Sequence, residues 1–119
     1  MKFLMVYQGD RATPPSPEKL AALGQYTQEM LAKGVVLMTG GLVRPDYGTK
    51  LKQEGGKFSV TDGPFPETKE LIDGFALVQC ASLEAAIAIG KEFMSIAGDG
   101  EAEVLRVFDI ADAPPPPPG

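Results

Sequence analysis

The chain opens on Lys2-Phe3-Leu4-Met5-Val6-Tyr7, in which both alternating sets, Phe3/Met5/Tyr7 and Leu4/Val6, are apolar. That pattern predicts a strand covered on both faces. After a polar loop, Ser16-Pro17-Glu18 combines a capping hydroxyl, a proline at the first helical position and an acid in the first turn, which predicts a helix start. Leu20, Leu23, Thr27, Met30 and Leu31 recur at helical spacing as its inner face, and Gly34 is expected to end it. Val35 to Val43 reads as a second strand, with a bulge or a close backbone approach at Gly40-Gly41. Arg44-Pro45-Asp46-Tyr47-Gly48 is a turn. Thr49 to Gln53 and Lys57 to Thr61 alternate around Glu54-Gly55-Gly56, a hairpin pattern with Leu51, Phe58 and Val60 on its buried side. Phe75 to Cys80 gives another apolar strand. Ser82 caps a helix reaching about Ile96, with Leu83, Ala86, Ile87, Gly90, Phe93 and Met94 facing inward and Gly90 packed closely on the sheet. Ala102 to Ile110 is the last strand.

Apart from the hairpin, the order is strand-helix-strand twice, the ferredoxin-like α+β pattern, with the hairpin inserted between the halves. Right-handed crossovers put both helices on one face of an antiparallel sheet. The other face is apolar as well, since the first strand offers Leu4 and Val6 on one side and Phe3, Met5 and Tyr7 on the other, and the third offers Phe75 and Leu77 against Ala76 and Val78. A large exposed apolar patch calls for a cover, so a homodimer packed sheet to sheet is expected. Residues 1–111 form the one domain. Asp112-Ala113 followed by Pro114 to Pro118 and Gly119 is a proline-rich tail, expected to extend as polyproline II.

Composition narrows the function classes. The chain has 119 residues, 44% of them apolar, enough for one modest core. Sixteen acidic residues against eleven basic ones give a net charge of −5, which argues against nucleic acid and anionic membrane as partners. No apolar run approaches the ~20 residues of a membrane helix, and Met1 to Tyr7 is too short for a signal-peptide core, so a cytoplasmic location is expected. Cys80 is the single cysteine, either an inert packed thiol or a reactive one, and no disulfide or thiolate cluster can be built. Histidine is absent. No metal or cofactor is expected, and any acid-base chemistry falls to carboxylates, tyrosines or lysines whose pKa values the fold must tune.

One stretch stands apart from the folding pattern. Asp62-Gly63-Pro64-Phe65-Pro66-Glu67-Thr68-Lys69-Glu70 concentrates turn formers, an aromatic ring and alternating charges before a predicted strand. It resembles the signature of the DGPF group within the YCII-related protein family. The resemblance extends from Met1 to about Ile110 through the Ser16-Pro17-Glu18 helix start, the Gly40-Gly41-Leu42 stretch and the glycine hairpin. It implies a dimeric ferredoxin-like α/β fold, the dimeric α/β barrel. Some YCII members resemble enzymes with a suggested histidine-aspartate pair, and one relative is dehydrochlorinase-like; DGPF members are linked to sigma factors. Without histidine that pair cannot form here. The chain also departs from the signature at Pro66, where alanine is usual, and at Asp73, where glycine is usual. Asp73 adds a carboxylate beside a strand and changes the charge of any nearby pocket.

The candidate site is a cleft reached by Tyr7, Arg44, Tyr47, Asp62 and Lys69. Arg44 and Lys69 suit a small anionic or phenolic ligand, Asp62 a base raised by desolvation, and Tyr7 a donor to a developing oxyanion. Each has a structural alternative: Asp62 as a loop-organising acceptor, Lys69 as a solvated charge, Tyr7 as a core ring with a wet hydroxyl, Arg44 as the partner of Asp46. Phe65 either plugs its own loop or reaches the partner subunit. Three classes stay open: a homodimer binding a small molecule or serving a regulatory role; a lyase or isomerase acting without histidine; and a sigma-factor-associated regulator or purely structural dimer.

Overall fold

The computed structural model describes residues 1–9, 15–42, 48–63 and 73–111. Its elements, in chain order, are β1 (Lys2–Gly9), α1 (Pro17–Ala32), β2 (Val36–Gly41), β3 (Thr49–Glu54), β4 (Lys57–Asp62), β5 (Gly74–Gln79), α2 (Leu83–Ala97) and β6 (Gly100–Val107). The proline-rich tail lies outside the described residues, and so do Pro64 to Glu70 of the signature segment.

Both helix starts form as the sequence predicts. Ser16 caps α1 by accepting from the Lys19 amide at 3.1 Å, with Pro17 at the first helical position, and Ser82 caps α2 by accepting from the Ala85 amide at 3.1 Å. Gly34 leaves α1 with φ +74°, a conformation that favours glycine. The sheet order is β2-β5-β1-β6, every pairing antiparallel, with β1 in the middle. This is an α+β fold in the ferredoxin-like order.

Register fixes which side chains share a face. Phe3 lies opposite Val78 and Met5 opposite Ala76 and Val104 on the helix side. Leu4 lies opposite Leu77 and Leu105, and Val6 opposite Phe75, on the other. The core is the helix side: Phe3, Met5, Met30, Val36, Val78 and Ala86 are buried together, with Tyr26 and Ile89 packed on them.

Several expectations are corrected. The helices are rolled relative to the predicted faces. In α1 the stripe over the sheet is Leu23, Tyr26, Thr27 and Met30, while Leu20 and Leu31 are exposed. In α2 it is Ala86, Ile89, Gly90 and Phe93, with Leu83 and Ile87 exposed. Each observed stripe is i, i+3, i+4, i+7, which the leucines and the isoleucine at neighbouring angles obscured. The register shift in β2 falls between Val36 and Met38 rather than at Gly40-Gly41. The close approach there is real, because a Cβ on Gly74 would come 3.1 Å from the Gly40 carbonyl oxygen. A Cβ on Gly90 would meet Met5 Sδ at an ordinary 3.8 Å, so that glycine is not demanded by tight packing. The final strand ends at Val107, and Ile110 is fully exposed.

β3 and β4 pair as a separate two-stranded sheet joined through Gly55 and Gly56, both at positive φ as a two-residue primed turn requires. Leu51, Phe58 and Val60 share one face of it, but each is 67% exposed rather than buried, because this ribbon does not join the main sheet.

Gly24 in α1 tests the helix energetics. A Cβ there would meet nothing within 4 Å. Gly24→Ala is therefore expected to stabilise the fold by about 1 kcal/mol, the propensity difference in a helix interior, read as a higher urea midpoint at unchanged slope.

Candidate functional site

Between the helices and the sheet lies a cavity of about 680 Å³. Its floor is the helix side of the strands, with Met5 and Tyr7 from β1, Val36 and Thr39 from β2 and Ala76 and Val78 from β5. Its roof is Leu23, Tyr26 and Thr27 of α1 and Ile89, Gly90 and Phe93 of α2. The space exists because small residues line both layers: Gly40, Gly74, Ala76, Gly90 and Ala102 leave room that larger side chains would fill.

Tyr7 is the one predicted site residue that the described structure places in this cavity. Its ring meets Phe93 edge to face, centroids 5.1 Å apart at 86°, which fixes both rings in the wall. Its hydroxyl donates to the backbone carbonyls of Gly98 and Asp99 at 3.3 and 3.2 Å. Asp62 sits elsewhere, exposed at the end of β4, where its Oδ1 accepts from the Thr49 hydroxyl at 3.1 Å across the ribbon. Arg44, Tyr47, Phe65 and Lys69 lie outside the described residues.

Asp73, expected from the sequence to add a carboxylate beside a strand and change the charge of any nearby pocket, stands at the mouth of the cavity. Its backbone amide donates to the Tyr7 carbonyl at 2.7 Å and its carbonyl accepts from the Leu42 amide at 2.8 Å. Its Oδ2 accepts from the Gly9 amide at 2.7 Å. One residue thus ties the ends of β1 and β2 together and sets a carboxylate at the opening. Sequence reasoning did not select Lys19 or Tyr26, which also line the cavity. Burial, reinforced by a hydrogen bond and charge from Glu92, holds the Tyr26 phenol well above the ordinary tyrosine pKa. It stays an uncharged phenol at neutral pH, with its hydroxyl 3.5 Å from the Ile89 carbonyl oxygen. Cys80 is half-buried outside the cavity, its thiol donating to the Ser82 carbonyl at 3.4 Å.

Among the described residues, no helix is long and apolar enough to cross a membrane. A family model of the YCII-related domain matches residues 1–111. An uncharacterised protein of Rhizobium meliloti (strain 1021) is 33% identical over 76 residues, a match that spans 61% of this chain and 61% of that protein.

Proposed function

We propose that this chain, which belongs to the YCII-related family, works as a homodimer that binds a small molecule in the cavity between its helices and its sheet. The observation that carries the reading is the cavity, whose volume of about 680 Å³ falls within the roughly 300–1,000 Å³ usual for small-molecule sites. Its walls are mostly apolar, and a few polar groups, among them Tyr7, Lys19, Tyr26, Thr39 and Asp73, stand in them, as such sites require. The opposite face of the sheet supports the dimer. Leu4, Val6, Leu77 and Leu105 lie in register there, and Met38, 60% exposed, lies opposite Leu77. Two such faces packed together make the dimeric α/β barrel and leave each cavity under its own pair of helices. Phe75 lies in register with the open-face set and also borders the cavity.

A fragment library screened by NMR tests the site. Hits are expected to shift the amides of Ala76, Val78 and Ala102. A library that gives no hits, or hits confined to Leu4, Leu77 and Leu105 on the open face, overturns the reading.

A further inference from the structure

The cavity has a direction. Val36 and Val78 lie at its inner end, Met5 and Ala76 next, then Tyr7 and Gly74, and Gly9 and Asp73 at the mouth, following the register of β1 and β5. The roof of α1 runs the same way, from Tyr26 and Leu23 outward to Lys19. Lys19 is half-buried, and its Nζ sits 2.9 Å from where a Cβ on Gly98 would stand. Gly98 is also the residue whose carbonyl takes the Tyr7 hydroxyl. Ammonium and phenol therefore meet at one corner of the opening.

The charges at that corner differ in how they are employed. Asp73 holds the Gly9 amide through its carboxylate, and Asp99 is exposed to solvent. No carboxylate among the described residues lies within ion-pairing distance of the Lys19 ammonium. The stem of a lysine can cover apolar wall while its head stays at the water boundary, which is the plainest account of its position. That same placement sets a cation at the edge of an apolar cavity. An anion on an apolar body would gain a partly desolvated, charge-assisted hydrogen bond from Lys19; a neutral head gains less, and a cationic head is repelled by Lys19, an effect that the Asp73 and Asp99 carboxylates in the same lining offset in part.

We infer that the ligand is an apolar monocarboxylic acid, its hydrocarbon or aryl body lying among Val36, Ala76, Ile89 and Phe93 and its carboxylate on Lys19 at the mouth; this rests on the cavity being a ligand site. Decanoate, decanol and decylammonium share one body and differ in head, so they separate the two ideas. Each is titrated below its self-association concentration, with binding measured by calorimetry and located by the amide shifts of Ala76, Val78 and Ala102. Decanoate is expected to bind about five- to tenfold more tightly than decanol, the modest factor of a half-exposed ion pair, and decylammonium more weakly than either. Added salt should shrink the preference. Lys19→Met should bring decanoate to the level of decanol, weakening decanoate far more than decanol, while Lys19→Arg keeps the preference. Equal binding of the three heads, a preference for decylammonium, or a decanoate preference that survives Lys19→Met overturns the acid class and leaves the cavity reading standing. Failure of all three to bind overturns both.

Discussion

Phe3→Ala is expected to lower the free energy of unfolding by about 3–5 kcal/mol, the range for truncating a fully buried aromatic side chain. Phe3 is 2% exposed, lies opposite Val78, which is 1% exposed, and packs with Ala86 of α2, which is fully buried. Among the described residues the buried core has six members, of which Phe3 and Val78 are the largest fully enclosed, so no neighbouring bulk there stands ready to fill the hole. At ~0.05–0.15 kcal/mol per residue a chain of this size has roughly 6–18 kcal/mol in hand, so the variant should fold while losing a large share of its margin. Urea unfolding at unchanged slope measures it. Leu4→Ala, one position along on the open face, is the control. Its effect should be smaller at low protein concentration and grow as concentration rises, because a residue that stabilises through a second copy is linked to protomer concentration. Equal, concentration-independent losses at Phe3 and Leu4 would remove the distinction between a core face and an interface face.

The two apolar faces were legible in the sequence because β1 carries two apolar alternating sets, and the observed register puts them on opposite sides of the sheet. The helix caps were legible for a similar reason: Ser16-Pro17-Glu18 and Ser82 carry their chemistry locally and need no partner to be read. The roll of each helix was not, since period alone fixes a stripe only to within one side-chain angle, and Leu20, Leu31, Leu83 and Ile87 competed with Tyr26 and Ile89, which pack inward. Hairpin burial was misjudged because alternation reports that a face is apolar, not that something covers it; Leu51, Phe58 and Val60 satisfy the pattern in the open. The cavity left a fainter trace. Lys19 stands four residues before Leu23 on the true inner stripe of α1, so a lysine heading an apolar stripe was the available signal, hidden by the same misreading of the roll. Asp73 was visible as an unusual carboxylate, but its ties to Gly9, Tyr7 and Leu42 span strands far apart in sequence, which no local pattern encodes.

Leu105→Glu is expected to dissociate the proposed homodimer without unfolding the protomer. Leu105 lies opposite Leu4 on the open face and is 46% exposed in the single chain, so a carboxylate there can reach water and the fold tolerates it. In a sheet-to-sheet dimer the same position is enclosed, and twofold symmetry brings in two such charges with no basic partner in the apolar strip. The strip is framed by polar residues on the same face, Lys2 and Gln79 toward one end and Gln8, Glu101 and Glu103 toward the other, as a dry centre with a polar rim requires. Burying unpaired carboxylates at its centre should weaken association by about 4 kcal/mol or more, roughly a thousandfold in Kd. Sedimentation velocity over a dilution series should give a dimer for the native chain and a monomer of unchanged circular dichroism for the variant. A native chain that sediments as a monomer at micromolar concentration, or a variant that dimerises as tightly as the native chain, would refute the sheet-to-sheet arrangement. Because the helices cover the opposite face, the monomeric variant should still take up decanoate with the preference set by Lys19. Loss of that binding along with the dimer would mean the cavity is shaped by the partner copy, and Phe75, which borders both, is the residue through which that would act.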